Sequence, residues 1–212
     1  MVMKYNPVKS IIEGRNLLYL SITGGGLGSV GMLTENGGAS SVFVGASIPY
    51  SQEVLASMIG SLAQAVTPKV ARLLSLYPFN QPVAFDFNEG EDGSEDCPDY
   101  CVSIGVTASL AKAGVEREGR EHKVYIHVGS FNSSEFKHLE SIGIQLKGKR
   151  TRLEEETLLN KLILSLADCR LNLTKPHPLT HKPWLEWIGL TDKDVIELDF
   201  GKVQDEVPDT QD

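Results

Sequence analysis

The sequence is poor in the features that mark secreted and membrane proteins. Its three cysteines, Cys97, Cys101 and Cys169, are a sparse and odd set, which argues against a disulfide framework and favours a reducing compartment. No uninterrupted apolar run approaches the ~20 residues that a membrane-spanning helix requires. Residues 1–10 also lack the layout of a signal peptide. We therefore expect a cytoplasmic protein with no membrane partner.

The sequence also has fewer basic than acidic residues. Lys and Arg total 20 against 28 Asp and Glu, so the net charge is -8. Such a chain repels phosphate backbones and anionic lipids, and we expect no nucleic-acid partner. Hydrophobic residues make up 41% and charged residues 23% of the 212 residues. These values are typical of a globular domain with an appendage.

Composition changes along the chain suggest where that domain ends. We assign residues 1–173 to one domain that carries a mobile acidic loop at about 86–100, where apolar residues are too few to offset the ordering entropy. Residues 174–212 are Pro-rich and then acidic, and are interpreted as a tail or linker. Trp184 and Trp187 in this segment either dock the tail on the domain or contact a partner.

Apolar periodicity predicts alternating strands and helices in the first half of the chain, followed by strands and one long amphipathic helix. This order indicates an α/β layered sandwich, with helices covering a mixed, largely parallel sheet. Helices are predicted at 6–15, from about 29 to 36, at 51–64, from 67 and from 151, and strands at 17–22, 41–48, 101–108, 123–129 and 136–146.

The stretch LLYLSITGGGLGSVGML at residues 17–33 contains a G-x-G-x-x-G pattern after an apolar run. A dinucleotide-binding fold would place an acidic residue about 20 residues further on, at the end of the second strand. That strand instead ends in Ile48 and Pro49, and no phosphate-binding G-K-[ST] follows the glycines. Two interpretations stay open: the turn binds an anion through its bare amides, or it only lets a helix pack closely on a strand.

Six short stretches occur in an order that is characteristic of one family. Together they resemble the C-terminal domain of the competence/damage-inducible protein CinA, the nicotinamide-mononucleotide deamidase family, over about Val8 to Leu173. Their altered loop after Thr107 resembles the eukaryotic branch, in which such a domain is joined to a nucleotidylyltransferase-like domain. The stretches are SITGGG at 21–26, GGASSVFVGASIPYSQE at 37–53, AVTPKVA at 65–71, VSIGVTASL at 102–110, EHKVYIHV at 121–128 and GKRTRLEEE at 148–156.

The resemblance implies a pocket for a small nucleotide-like ligand, and we expect no cofactor. It places Ser40 at the position of the serine nucleophile that attacks a carboxamide. The ligand-binding residues that it implies are Ser21, Thr23, Gly24, Gly25, Tyr50, Ser51, Thr107 and Arg150.

One departure from the family pattern bears directly on activity. Leu55 stands where the family has the lysine that activates the serine, and leucine cannot accept a proton. The resemblance therefore implies a domain that is degenerate as a deamidase. Lys112, His122 and Lys123 lie near the altered loop and are candidates for a substitute base.

Three functions stay open on these residues. The domain binds a nucleotide without deamidating it, or it is an active amidohydrolase with a substituted base, or it is an interaction or oligomerisation module of a nucleotidylyltransferase-like protein. Cys97 and Cys101 with His177 and His181 have a zinc-like spacing. Because Cys101 is predicted to begin a buried strand, we expect no metal. Self-association into a homo-oligomer is compatible with the sequence.

Overall fold

The sheet is mixed and contains parallel and antiparallel pairs. The structure, a computed structural model, describes residues 6–81, 98–112, 121–173 and 175–199. These residues form strands β1 Leu17–Thr23, β2 Phe43–Ser47, β3 Cys101–Ser109, β4 His122–Phe131, β5 Phe136–Leu146 and β6 Val195–Asp199, in the spatial order β2-β1-β3-β4-β5-β6. The predicted acidic loop, up to and including Cys97, lies outside the described residues.

Only the first part of the sheet is parallel. β1 pairs in parallel with β2 and β3, whereas the pairs β3–β4, β4–β5 and β5–β6 are antiparallel. The prediction of an α/β layered fold with a mixed sheet is confirmed. The expectation that the sheet is largely parallel was wrong, because β4 and β5 are joined by a tight turn at residues 132–135 that permits only antiparallel pairing.

Helices cover the two faces of the sheet unequally. One face carries α1, α2, α5 and α6 around the main apolar core, and the other carries α4, against which α3 packs. Within the described ranges, no helix is both long and apolar enough to cross a bilayer. The helices are α1 Pro7–Ile12, α2 Gly28–Thr34, α3 Gln52–Ile59, α4 Pro68–Leu76, α5 Arg152–Leu171 and α6 Lys182–Ile188.

Helix starts follow local capping signals in the sequence. The side chain of Thr67 accepts the amide N–H of Val70 at the start of α4, where Pro68 takes the first helical position. Thr151 and Glu154 form a reciprocal capping box at the start of α5. These contacts satisfy amides that would otherwise lack partners, so both helices begin where the sequence predicts.

The described part of the predicted tail contributes two elements that the sequence analysis did not predict. In α6, Trp184 and Ile188 are buried, and Ile188 belongs to the main core. β6 then pairs with β5 and completes the sheet. A buried ion-pair cluster also holds this segment, since Glu140 of β5 accepts hydrogen bonds from Arg170 at 2.8 Å and from His177 at 2.7 Å. The domain boundary at residue 173 stays a prediction.

Candidate functional site

The predicted site residues other than Ser40 lie at or near one edge of the sheet, with Ser21 buried two residues before the end of β1. β1 and β3 run parallel, so Thr23 and Thr107 are register partners at their carboxyl ends. β5 also runs in this direction, because β4 is antiparallel to both of its neighbours, and Arg150 follows β5. Tyr50 and Ser51 follow β2. The carboxyl edge of an open α/β sheet is a common position for ligands.

The hydroxyl groups at this edge are mostly engaged with the backbone. Thr23 donates to the carbonyl oxygen of Pro49 at 2.7 Å, and Thr107 donates to that of Ala65 at 2.6 Å. Ser21 is fully buried, and its Oγ has no hydrogen-bond partner among the described residues. Buried hydroxyls are normally hydrogen-bonded, so Ser21 is the exception on this edge.

The glycine turn has a conformation and a close packing that require glycine. Gly24 and Gly26 have φ values of +81° and +90°, in the left-handed region that side chains rarely adopt. A Cβ on Gly24 would lie 2.0 Å from the carbonyl oxygen of Ala108, and one on Gly25 would lie 2.5 Å from Leu110 Cδ1. Close packing of the turn therefore accounts for these glycines.

The turn also presents bare amides, and an internal carboxylate occupies them. Glu156 Oε1 accepts the N–H groups of Gly26 at 2.7 Å and Leu27 at 3.0 Å. Arg152 donates to the carbonyl oxygen of Gly24 at 2.9 Å and lies 3.3 Å from Glu156 Oε2. Neither side chain was predicted as part of the site, since acidic and basic residues in the first two turns of a helix are usually solvated.

Arg150 forms an ion pair with Asp194 of the same chain. Its guanidinium donates to Asp194 at 2.8 Å and 2.6 Å and to the carbonyl oxygen of Gly189 at 3.2 Å. Burial opposes ionisation of Asp194 and is the largest influence on it. The hydrogen bonds from Arg150 and from the amides of Thr191 and Lys147 nevertheless lower the pKa of Asp194 to about 2. The anion-binding role of Arg150 stays a prediction.

The residues after β2 have separate environments. Tyr50 is 72% exposed. Ser51 caps α3 by accepting the N–H of Val54 at 3.2 Å. Leu55 is buried in a small apolar cluster with Val70 and Leu74. The position of the family's lysine is thus a packed apolar site in this chain.

Ser40 lies apart from the rest of the predicted site. It is exposed in a short 3₁₀ turn, Ala39–Ser41, that precedes β2. Because β2 is parallel to β1, its start lies at the opposite, amino edge of the sheet. The five residues of β2 separate the two edges by roughly 17 Å, at about 3.3 Å per residue. Within one chain, Ser40 does not join the carboxyl-edge residues.

Of the candidate bases, His122 has the most defined setting. Its Nδ1 lies 2.7 Å from Oε1 of Glu155, whose side chain is fully buried and also accepts the N–H of Ala111. A carboxylate in this position holds the proton on Nδ1 and leaves Nε2 as the acceptor. Lys123 instead pairs with Glu121, and this hydrogen bond raises the pKa of the ammonium, which therefore stays protonated.

A second histidine network lies on the α4 face of the sheet, where His127 pairs in register with Gly105, the partner of Ser21. Arg72 donates to His138 Nε2 at 3.0 Å, His138 Nδ1 lies 2.9 Å from His127 Nε2, and His127 Nδ1 lies 2.7 Å from Ser141 Oγ. Because arginine can only donate, the protons of His138 and His127 sit on Nδ1. His127 therefore donates to Ser141 and cannot act as its base.

The zinc-like residues do not assemble within the described residues. Cys101 is buried at the start of β3, and burial strongly raises the pKa of its thiol. His177 is bound to Glu140. Across residues 6–81, 98–112, 121–173 and 175–199, no group of three His, Cys, Asp or Glu side chains is placed to hold a metal.

The architecture is thus an α/β layered fold with a polar carboxyl edge. No protein-family model and no curated protein matches the chain. Solved structures do. The chain is similar to the competence/damage-inducible protein CihA from Agrobacterium tumefaciens, with 15% identity and a TM-score of 0.46 over 82% of this chain and 97% of that one.

Two further solved structures have similar values. The competence or damage-inducible protein from Enterobacter asburiae shows 10% identity and a TM-score of 0.48 over 80% of this chain and 96% of its own. The competence damage-inducible protein A from Klebsiella pneumoniae shows 12% identity and a TM-score of 0.47 over 80% and 98%.

Proposed function

We propose that the chain is a divergent CinA-like domain that binds a small, polar, nucleotide-like ligand at the carboxyl edge and does not catalyse serine–lysine deamidation. The observation that carries this proposal is the position of Leu55. A lysine base must lie near the serine that it activates, whereas Leu55 packs against Val70 and Leu74. Loss of one member of a nucleophile–base unit lowers rates by about 10⁴- to 10⁶-fold.

The ligand-binding part of the proposal rests on the polar groups that remain at this edge. The hydroxyl of Ser21 is buried with no partner among the described residues, and Tyr50 exposes an aromatic ring that can stack on a base. The anion-binding groups are engaged internally, since Glu156 occupies the turn amides and Asp194 pairs with Arg150. A phosphate would have to displace these carboxylates, so we expect weaker binding of phosphorylated ligands than in an enzyme with a free turn.

A second candidate function is favoured by His122. The buried Glu155 carboxylate orients the ring through Nδ1, which leaves Nε2 as the nitrogen that could accept a proton from a substrate or nucleophile. His122 lies at the carboxyl edge, where β4 begins beside the end of β3. An amidohydrolase with a substituted base would use this imidazole, although Ser40 of the same chain lies at the other edge.

Ammonia release from nicotinamide mononucleotide separates the two functions. A deamidase with the complete serine–lysine motif serves as the positive control, and we expect this chain to fall below it by at least about 10⁴-fold. Turnover comparable to the control, lost in Ser40→Ala and in His122→Gln, would establish the second function instead. Leu55→Lys is the companion variant, although a lysine in this apolar cluster carries a desolvation penalty.

Binding is tested by thermal unfolding with nicotinamide mononucleotide, nicotinic acid mononucleotide, NAD and ADP-ribose. A ligand of the native state raises the midpoint in a saturable, concentration-dependent manner. Tyr50→Ala should remove the shift for any ligand whose base stacks on this ring. If none of the compounds shifts the midpoint at millimolar concentration, the nucleotide-binding proposal fails, whatever the ammonia assay shows.

A further inference from the structure

One face of α5 lies along the glycine turn that follows β1. Arg152, Glu156 and Asn160 recur at every fourth position of this helix, and residues at this spacing share one helical face. We name these three side chains the α5 stripe. Their contacts with the turn run in the same order along both segments, from Gly24 to Ser29. The stripe and the turn are therefore matched along their length.

The α5 stripe satisfies backbone amides at the start of α2. Glu156 Oε1 accepts the N–H groups of Gly26 at 2.7 Å and Leu27 at 3.0 Å. Asn160 Oδ1 accepts the N–H of Ser29 at 3.1 Å. Amides in such a turn are common donors to a phosphate. Because these three amides already have acceptors on α5, a phosphate would have to displace a side chain to reach them.

Charge also opposes a phosphate at this place. Glu155 and Glu156 bring two carboxylates to the first turns of α5, and Glu155 is fully buried. Arg152 lies 3.3 Å from Glu156 Oε2, so its charge is already neutralised by the chain. The same holds for Arg150, which lies 2.6 Å from Asp194 Oδ2. A phosphate that displaced Glu156 from the turn would lie beside the like charge of that carboxylate, which is unfavourable.

We propose that Glu156 is a specificity-determining residue, which makes the carboxyl-edge site select ligands without a phosphate, such as a nucleoside or its base, over the corresponding nucleotides. This inference rests on the proposed function and names the ligand class of that same site. The groups left for the ligand are the exposed ring of Tyr50 and the buried hydroxyl of Ser21, which has no partner among the described residues. They supply the stacking and hydrogen bonding that a base needs, whereas a phosphate needs charge-assisted donors.

Pairs of ligands that differ only in the 5′-phosphate test this selectivity. Calorimetric titration of the wild-type chain compares nicotinamide riboside with nicotinamide mononucleotide, and adenosine with adenosine monophosphate. In a pair that binds, the nucleoside should bind at least about tenfold more tightly than its monophosphate. A monophosphate that binds as tightly as its nucleoside, or more tightly, overturns the proposal and leaves the carboxyl-edge site standing. If neither member of either pair binds, the proposed function fails and this inference fails with it.

Two variants that each remove one negative charge from α5 test the role of Glu156. Glu156→Gln should lower the preference for the nucleoside by about tenfold, because a neutral amide repels a phosphate less and holds the turn amides less strongly. Glu154→Gln is the matched control and should leave the preference unchanged. Glu154 is exposed and bonds Thr151 rather than the turn, and glutamine preserves this capping box.

Equal effects of the two variants, or no effect of Glu156→Gln, would overturn the role of Glu156. Thermal unfolding without ligand verifies that both variants are folded. The preference of the wild-type chain decides the selectivity even if Glu156→Gln does not fold. None of these measurements depends on ammonia release, so their outcome is independent of whether the chain is a deamidase.

Discussion

The two faces of the sheet come from the same strands but are buried in different ways. The face toward α5 carries large aliphatic side chains such as Leu20, Ile104 and Ile126, which pack against the leucines of a 20-residue helix. The face toward α4 carries Ser103, Gly105 and other small or polar residues, under a helix of nine residues. The first face obtains its stability from apolar area, and the second depends on a few specific contacts.

The stability of the α4 face depends on hydrogen bonds between particular buried polar groups. Ser103 donates to the carbonyl oxygen of Ser75 at 2.6 Å, and Arg72 of α4 holds the line of histidines that ends at Ser141. Each of these groups needs its partner, because an unpaired buried polar group is unfavourable. Substitutions on this face should therefore have effects that depend on individual contacts, whereas on the α5 face they should follow the volume removed.

The largest effect is expected on the apolar face. Leu162→Ala removes a fully buried side chain from α5 and should lower the free energy of unfolding by about 2 to 5 kcal/mol. Leu153→Ala is the control on the same helix, since Leu153 is 75% exposed and should change the free energy by less than about 0.5 kcal/mol. Urea unfolding measures both. Similar losses in the two variants would contradict the assignment of the core.

The second largest loss of stability is expected where α4 packs on the polar face of the sheet. In Gly105→Ala, the new Cβ would lie 2.0 Å from the carbonyl oxygen of Ala71 and 2.4 Å from the amide nitrogen of Ser75. These are backbone atoms, so α4 must shift, and we expect a loss of about 1 to 3 kcal/mol.

Gly31→Ala is the control, and it should raise the free energy of unfolding where Gly105→Ala lowers it. Gly31 lies inside α2, and its Cβ would have nothing within 4 Å. Alanine has the higher helix propensity, by about 1 kcal/mol, so this variant should be more stable. If Gly105→Ala is neutral in urea unfolding, α4 does not pack as closely as the structure has it.

Acid should lower the stability of the native chain through His127, a buried residue of the polar face. Burial is the main cause that lowers the pKa of His127 from 6.5 to about 3, with smaller contributions from the neighbouring His138 and Arg72 and an opposing one from Glu140. The native chain therefore binds this proton less readily than the unfolded chain. Its contribution to stability is complete above pH 6.5 and is lost as the pH falls from 6.5 toward 3, at up to about 1.4 kcal/mol per pH unit.

His127→Gln isolates this contribution, because the amide can still bond Ser141 but does not titrate. Between pH 6.5 and 5, above the range in which the carboxylates Glu140 and Asp194 titrate, the wild-type free energy of unfolding should fall more steeply than that of the variant. Equal slopes would show that His127 is not kept neutral in the native chain.

Capping residues and apolar periodicity predicted most of the helices and strands. They could not predict contacts between residues that are far apart in the sequence. Thr67 with Pro68 marked the start of α4, and period-two alternation placed β5 at the residues that it occupies. The same alternation is present in β6, where Ile196 and Leu198 face the core between acidic residues. That strand could have been predicted, but the prolines before it favoured the interpretation as a tail.

The site was harder to predict, since its contacts join residues far apart in the sequence. Glu156 reaches amides at Gly26 and Leu27, about 130 residues away, and Arg150 finds Asp194 in the segment interpreted as a tail. Nothing in the local pattern distinguishes such side chains from solvated ones. The resemblance predicted a set of site residues, of which Ser40 lies at the amino edge, and the fold decides which partner each of them has.

The smallest effect is expected at Ser21, and it bears most directly on ligand binding. Ser103 and Ser21 are both fully buried on the polar face, but only Ser103 has a partner for its hydroxyl among the described residues. Ser103→Ala should lower the free energy of unfolding by about 1 kcal/mol, the usual net value of a hydrogen bond. Ser21→Ala should be neutral or slightly stabilising, because it removes a buried polar atom that has no partner. The same variant should weaken any ligand found by thermal unfolding whose donor or acceptor reaches this hydroxyl. A loss in Ser21→Ala as large as that in Ser103→Ala, with no ligand present, would show that Ser21 is already hydrogen-bonded and has no free hydroxyl for a ligand.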